Sequence, residues 1–176
     1  LFANFGLDGT RPFFSRRIGI ARDSSTGQNI QNPIYGGVRL SGKLNNNTRI
    51  GILNMQAGEY EKINLPSTNY LVATVQQKIF SRSNISMILI NKQAFQDSIG
   101  GEFTGNPNTY SRVAGLDYNH YSSDNRWAGK AFYHHSFDEI KNDSAFAFGG
   151  SLTYATLKWN ISILARSVGA SYNPEV

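Results

Sequence analysis

Apolar and polar residues alternate along most of the chain, and this alternation constrains the fold more than any other feature. From Ile34 onward, eight segments of strand length follow one another, at 34–44, 48–57, 69–80, 84–93, 110–121, 126–137, 144–155 and 157–168. A period of two with one apolar and one polar face is typical of a half-buried β-strand. The segments are as long as tilted strands that cross a bilayer, and longer than most strands of soluble domains.

The alternation is clearest in the last two segments. One apolar row contains Phe146, Phe148, Leu152 and Tyr154, and the next contains Leu157, Trp159, Ile161, Ile163 and Ala165. Parts of the second and fourth segments, Ile50–Met55 and Ile85–Ile90, are apolar on both faces. In these two places the pattern alone does not distinguish a barrel strand from a fully buried strand.

The connections between the segments alternate in length. Short polar connections lie at 45–47, 81–83, 122–125 and near 155–156, and longer ones lie at 58–68, 94–109 and 138–143. Outer-membrane barrels sort their connections in this way, with short periplasmic turns and long extracellular loops. We therefore predict an all-β chain that forms an antiparallel up-and-down transmembrane β-barrel, with about eight strands present and further strands completing a larger barrel.

Composition excludes several other classes. The chain has no cysteine, which rules out disulfides and thiolate metal sites. Its net charge is +5, but the basic residues are scattered, so we expect no nucleic-acid partner. No apolar stretch approaches the roughly 20 residues of a membrane helix, whereas a barrel strand exposes only every second residue to lipid.

The two ends of the chain differ from the middle. Residues 1–33 read as a lead-in segment, either a loop or an extra strand, in which Phe13–Gly19 is a strand or an inward-folded loop. Residues 34–168 are the transmembrane hairpins, and residues 169–176 read as a loop that leads to a missing strand. We expect both ends to continue in a longer protein.

The motif Phe13-Phe14-Ser15-Arg16-Arg17-Ile18-Gly19 is similar to a signature of a Bacteroidota outer-membrane family. Its members join an N-terminal carbohydrate-binding-like domain of the family-nine type to a C-terminal β-barrel domain of unknown function. Weaker matches follow in the family's order, at 36–43, 50–54, 69–72, 113–117 and 172–176. Ile20 stands where the family has arginine, and the carbohydrate-binding-like domain is missing. The resemblance implies the barrel fold, the outer membrane and an association with glycans.

Basic residues recur at the polar positions of the predicted strands. As weak candidates for binding inside the barrel we name Arg39, Arg112, Lys130 and Arg166, within a wider set that includes Lys43, Arg49, Lys78, Arg126 and Lys158. A basic interior favours anionic solutes or holds an inserted loop or plug. Alternatively, these side chains fill a polar lumen and pair with acidic residues of neighbouring strands, which is the interpretation we favour.

No motif predicts catalysis, a cofactor or a metal. His134 and His135 are adjacent on a strand and point to opposite faces, so they cannot share an ion without a bulge. Carboxylates for an envelope hydrolase would have to come from Glu102, Asp117 or Asp124, which no known constellation links. The glycine-rich stretch 98–105 lacks the lysine and helix of a phosphate-binding loop.

We therefore expect an outer-membrane protein that transports or binds envelope components, related to glycans, and that is not an enzyme. Its expected partners are outer-membrane lipid and lipopolysaccharide, and a barrel-assembly machine or another envelope protein. The alternatives are a soluble all-β carbohydrate-binding module and an envelope hydrolase.

Overall fold

The computed structural model describes residues 1–22, 27–60, 65–95, 110–138 and 144–174, without the side chains of Arg17, Ala21 and Arg22. Within these ranges the structure is all-β apart from one 3₁₀ turn, Ser15–Arg17. No helix within these ranges is long and apolar enough to span a membrane. The strands are β1 Ile20–Arg22, β2 Asn29–Gln31, β3 Ile34–Lys43, β4 Thr48–Ala57, β5 Ser67–Ile79, β6 Ser83–Phe95, β7 Tyr110–Tyr121, β8 Trp127–Asp138, β9 Phe146–Ala155 and β10 Asn160–Val168.

Strands β3 to β10 form one antiparallel sheet in which each strand pairs with its sequence neighbours, whereas β1 and β2 form a separate hairpin. The eight predicted segments match these strands to within three residues at each end. The up-and-down antiparallel topology is confirmed. The sheet is open, because β3 and β10 are its edges and all their residues are exposed.

The connections alternate in length as predicted. Short turns lie at 44–47, 80–82, 122–126 and 156–159, and longer connections lie at 58–66, 96–109 and 139–145. We call these two ends of the sheet the turn end and the loop end. In the first turn Asn45 Oδ1 accepts hydrogen bonds from the backbone N–H groups of Asn47 and Thr48, both at 2.8 Å. This Asx-type turn explains why an asparagine-rich triplet reverses the chain there.

One face of the sheet, which we call the inner face, is covered by residues 1–18, the N-terminal segment. The segment buries Phe2, Phe5, Phe13 and Ile18 against the sheet. Their partners on the strands are Ala57, Tyr70, Val72, Ile88, Ile90 and Val113, with Leu53 and Met55 partly buried beside them. The core of the protein is therefore the contact between a loop-like segment and the middle of an open sheet.

The opposite face, the outer face, exposes large apolar side chains on all eight strands. They include Val38, Ile52, Val75, Leu89, Leu116, Tyr133, Phe148 and Ile163, of which Val38 is 72% and Ile163 67% exposed. A contiguous apolar surface of this extent is unusual for a soluble monomer.

Candidate functional site

The N-terminal segment crosses almost the whole width of the sheet. Near its start the guanidinium of Arg39 on β3 lies 5.4 Å from the centre of the Phe2 ring. Further along the segment, the backbone carbonyl of Asp8 accepts a hydrogen bond from Arg166 on β10. Both edge strands of the open sheet thus contact one short segment through cationic side chains.

A glycine on β4 lets the segment approach the sheet closely. A Cβ atom at Gly51 would lie 2.7 Å from Leu1 Cδ2 and 2.8 Å from Phe2 Cζ. Such distances are well inside van der Waals contact, so a larger residue would push the start of the segment away. Gly51 is inside a strand, where glycine often marks a close approach of another part of the chain.

A tight turn brings the middle of the segment into position. Gly6 has φ +68°, and the backbone N–H of Leu7 donates to Thr10 Oγ1 at 2.9 Å. The Thr10 N–H in turn donates to the Leu7 carbonyl at 2.9 Å. Because the left-handed conformation costs L-residues energy, Gly6 is well suited to this bend. The bend turns the Gly6 N–H toward β7.

Asp117 on β7 is the centre of a buried polar cluster, which consists of Asp117, Lys130, His134 and the Gly6 backbone. Its Oδ2 accepts from the Gly6 N–H at 2.8 Å and lies 3.1 Å from Lys130 Nζ. Its Oδ1 lies 2.7 Å from His134 Nε2. The side chains of Asp117 and His134 are both fully buried. Three donors on one carboxylate meet the requirement that a buried charge be paired and hydrogen-bonded.

His134 faces Asp117 with its Nε2. An ionised carboxylate only accepts hydrogen bonds, so a ring with its proton on Nε2 fits this contact. Its other ring nitrogen, Nδ1, is buried and has no hydrogen-bond partner among the described residues. The ring is packed tightly, since a Cβ on Gly115 would lie 2.6 Å from His134 Cδ2.

Lys130 on β8 joins the cluster to the segment. Its ammonium donates to the Asn4 carbonyl at 2.7 Å while it pairs with Asp117. Lys130 therefore neutralises the buried carboxylate and satisfies a backbone carbonyl of the segment at the same time. Removing either partner of such a pair leaves an uncompensated buried charge.

The chain following β10 approaches the same cluster. Residues 169–174 fold back over β8 and β9, with the Asn173 N–H donating to Ser136 Oγ at 3.3 Å. Tyr172 is partly buried there, and its hydroxyl has no hydrogen-bond partner in the described part of the chain. Burial, and then the negative charge of Asp117, raise the pKa of Tyr172 well above its usual value.

Three of the four basic residues named from the sequence lie on the inner face and contact the N-terminal segment: Arg39, Lys130 and Arg166. Lys130 also pairs with an acid on the neighbouring strand, as we expected for such side chains. A role for them in binding a solute stays a prediction.

The expectation for Arg112 is corrected. In the sheet register Arg112 lies opposite Asn91 on β6 and Phe137 on β8. It is two residues from Ala114, so both side chains are on the outer face. There its Nε donates to Asn91 Oδ1 at 2.9 Å, and its guanidinium lies 4.6 Å from the Tyr110 ring centre. It therefore cannot belong to the inner-face set.

The remaining candidates do not assemble into a catalytic or metal site. His134 is buried on the inner face. His135 lies on the outer face, where its ring centre is 4.6 Å from that of Phe137. No three His, Asp or Glu side chains converge within the described ranges. Asp124 sits in an exposed turn beside Arg126, and Glu102 lies outside the described residues. Arg16 is exposed at the 3₁₀ turn.

Sequence reasoning did not identify Gly6, Gly115 or the pairing of Asp117 with His134. One signal was present: the stretches that are apolar on both faces contain Leu53, Ile88 and Ile90, which pack against the N-terminal segment. An apolar inner row indicates that something covers it. It does not tell which part of the chain does so.

Chemically, this arrangement is suited to holding a segment in place. The buried cluster uses its one carboxylate, one ammonium and one imidazole on each other and on the backbone of the N-terminal segment. Comparison with protein-family models, curated proteins and solved structures finds no match to this chain.

Proposed function

We propose that the protein is an outer-membrane β-barrel protein of a transport or envelope-binding kind, with the N-terminal segment as a plug inside the barrel. One observation carries the proposal. Of the Lys, Arg, Asp and Glu residues on the eight strands, all of which lie in the described ranges, only Arg112 is on the outer face. Charge on a lipid-facing barrel surface is costly, most of all at the middle of the bilayer.

The distribution of polar groups on the outer face supports the same proposal. Toward the loop end Asn54, Gln56, Ser67 and Asn69 form a hydrogen-bonded group, and the apolar rows lie between it and the turn end. At the turn end Trp127 and Tyr154 have ring centres 4.8 Å apart, and Trp159 is exposed. An apolar band bordered by polar and aromatic residues is typical of a membrane barrel.

Two features favour a barrel of more than eight strands. The interior of an eight-stranded barrel is filled by its own side chains or holds one small ligand. Here the inner face accommodates a segment with three buried phenylalanines, Phe2, Phe5 and Phe13. In addition, both edge strands are exposed along their whole length, and open edges are not stable in lipid.

The resemblance to the Bacteroidota family agrees with this proposal, and its signature lies at the end of the N-terminal segment. The family's carbohydrate-binding-like partner domain suggests that the solute or ligand is a glycan. The soluble carbohydrate-binding module is less favoured, because a sandwich would cover the apolar outer rows, which are exposed here. The hydrolase alternative is less favoured because Asp117 is engaged in holding the segment.

A pair of adjacent residues on β10 gives a direct test. Ile163 and Leu164 are 67% and 60% exposed in the open sheet, but they point to opposite faces. The chain has no cysteine, so Ile163→Cys and Leu164→Cys each carry one unique label site. In lipid vesicles we expect a fluorophore at 163 to be quenched by nitroxide-bearing lipids and one at 164 not to be.

Equal quenching at the two positions would contradict the assignment of the outer face to lipid. A protein that stays monodisperse without detergent, with both labels quenched by aqueous iodide, would exclude the membrane proposal. Asn46→Cys in the first turn serves as the water-exposed control.

A further inference from the structure

Arg112, the only charged residue on the outer face of the eight described strands, stands beside a groove. This groove, with a volume of about 340 Å³, lies on the outer face at strands β5 to β8. Small residues, Ala73 and Ala114, flank Leu89 on its floor, and Leu71 and Phe137 contribute apolar walls. The lining is almost wholly apolar, and Arg112 and Asn91 lie side by side at one end of it.

Arg112 is held in a fixed orientation at this end of the groove. Its Nε donates to Asn91 Oδ1 at 2.9 Å, and its guanidinium lies over the Tyr110 ring at 4.6 Å. A guanidinium that is bound only through Nε still carries four N–H donors on its two terminal nitrogens. None of the described carboxylates forms an ion pair with it, since those of the strands, Asp117 and Asp138, are on the inner face.

The position of Arg112 along the strand is also informative. It is the third residue of β7 counted from the loop end, next to the border between the apolar rows and the polar group. On a membrane barrel this border lies at the level of the lipid headgroups, where a charged side chain costs little. An apolar groove that starts at a cation at this level matches the shape of a lipid with an anionic headgroup.

We propose that this groove binds one phosphate-bearing lipid, with an acyl chain along Ala73 and Ala114 and the phosphate on Arg112. The guanidinium binds phosphate oxygens with two parallel N–H bonds, and the Asn91 amide supports its orientation. This inference rests on the proposed membrane location and assigns a specific ligand site to it.

The test uses the protein in dodecyl maltoside micelles with an equimolar mixture of phosphatidylglycerol and phosphatidylcholine of the same chain length. The lipid retained after gel filtration is quantified by mass spectrometry. We expect the anionic lipid to be enriched about tenfold, the factor that one desolvated charge-assisted contact supplies. The enrichment should fall to near unity in Arg112→Gln.

Two further variants separate the site from general effects. Ala114→Phe fills the groove from the outer face, so retention of both lipids should fall while the fold is kept. Lys92→Gln removes a positive charge at the same level of the sheet, but on the inner face, and should retain the wild-type preference.

The outcomes distinguish this inference from the proposal on which it depends. Equal retention of the two lipids by a protein that requires detergent would overturn the lipid site and leave the membrane location intact. Loss of the preference in Lys92→Gln as strongly as in Arg112→Gln would also overturn it. Competition by inorganic phosphate at equal concentration would identify a simple anion site instead. Solubility without detergent would overturn both proposals.

Discussion

The carboxylate of Asp117 accepts a hydrogen bond from the backbone N–H of Gly6, which lies 111 residues earlier in the chain. This contact, with those of Lys130 and Arg166, fixes the N-terminal segment on the inner face. The segment is therefore held by backbone groups and a few buried polar side chains, which makes its attachment sensitive to single substitutions.

Substitution of Asp117 by alanine should be strongly destabilising. It leaves Lys130 and His134 without their partner and the Gly6 N–H without an acceptor, so we expect a loss of about 3–5 kcal/mol in the free energy of unfolding. Urea titration of the protein in detergent measures it. Asp8→Asn is the matched control, because the Asp8 side chain is exposed and pairs only with Arg11 within the described residues. A change in Asp117→Ala no larger than in this control would contradict the role of the cluster.

Gly115→Ala should disturb the packing of His134. The added Cβ would lie 2.6 Å from His134 Cδ2 and 2.8 Å from Ile88 Cγ2. Overpacking of this kind typically costs about 1–3 kcal/mol. Gly42→Ala on β3 is the control, since its Cβ would meet no atom within 4 Å and it should be close to neutral. Thermal unfolding of the two variants side by side provides the comparison, and equal melting temperatures would argue against this packing.

Lys130→Gln combined with Arg166→Gln should loosen the N-terminal segment more than it weakens the sheet, although Lys130→Gln also leaves the buried Asp117 without its cation. Both side chains donate to backbone carbonyls of the segment, those of Asn4 and Asp8. Hydrogen exchange of residues 2–10 should therefore become at least about tenfold faster, since a loss of roughly 1.4 kcal/mol has that effect. Exchange in β5 and β6 should rise less than exchange in the segment. Lys78 is an exposed inner-face residue of β5, and as a control Lys78→Gln should leave the segment protected. Unchanged exchange in the double variant would refute the attachment of the segment by Lys130 and Arg166.

Tyr172 should make the protein sensitive to alkaline pH. Burial, and then the charge of Asp117, raise its pKa in the folded state above the ordinary value of 10.0. Above pH 10 the unfolded chain therefore binds fewer protons at this position than the folded chain does. The contribution of Tyr172 to stability is complete below pH 10 and is lost as the pH rises further. The stability of Tyr172→Phe should fall less steeply between pH 10 and 11.5. Identical slopes for the variant and the wild type would exclude this linkage.

Asp124 should titrate below its usual pKa. The Ser122 hydroxyl, 2.6 Å away, lowers the pKa of this carboxyl most, and the Arg126 backbone N–H lowers it further. The stability that these contacts supply is present above the unfolded pKa and lost as the pH falls through the folded one. NMR titration should show the Asp124 pKa moving upward in Ser122→Ala, and an unchanged value would contradict the hydrogen bond.

The face of Arg112 shows how a sequence pattern can be misread. Position 112 is in step with Ala114 and Leu116, so the period of two already places it on the apolar row of β7. The inner-face expectation followed from its charge alone, because charged side chains usually avoid apolar surfaces. On the proposed membrane barrel, position 112 lies at the headgroup border, where a cation is tolerated on the lipid side.

The sequence by itself determined the strands, their order and the sorting of turns and loops. These features depend on neighbouring residues: the alternation selects extended backbone, and turn residues such as Asn45 reverse the chain locally. Only the tertiary structure decided that residues 1–18 lie on the inner face and that Asp117, Lys130 and His134 meet there. The hydrogen bonds that tie the segment to Asp117 and Lys130 join residues more than a hundred positions apart, and many other polar residues had the same local pattern. Their choice depended on which N–H, carbonyl and apolar groups could be buried together with most of the polar groups paired.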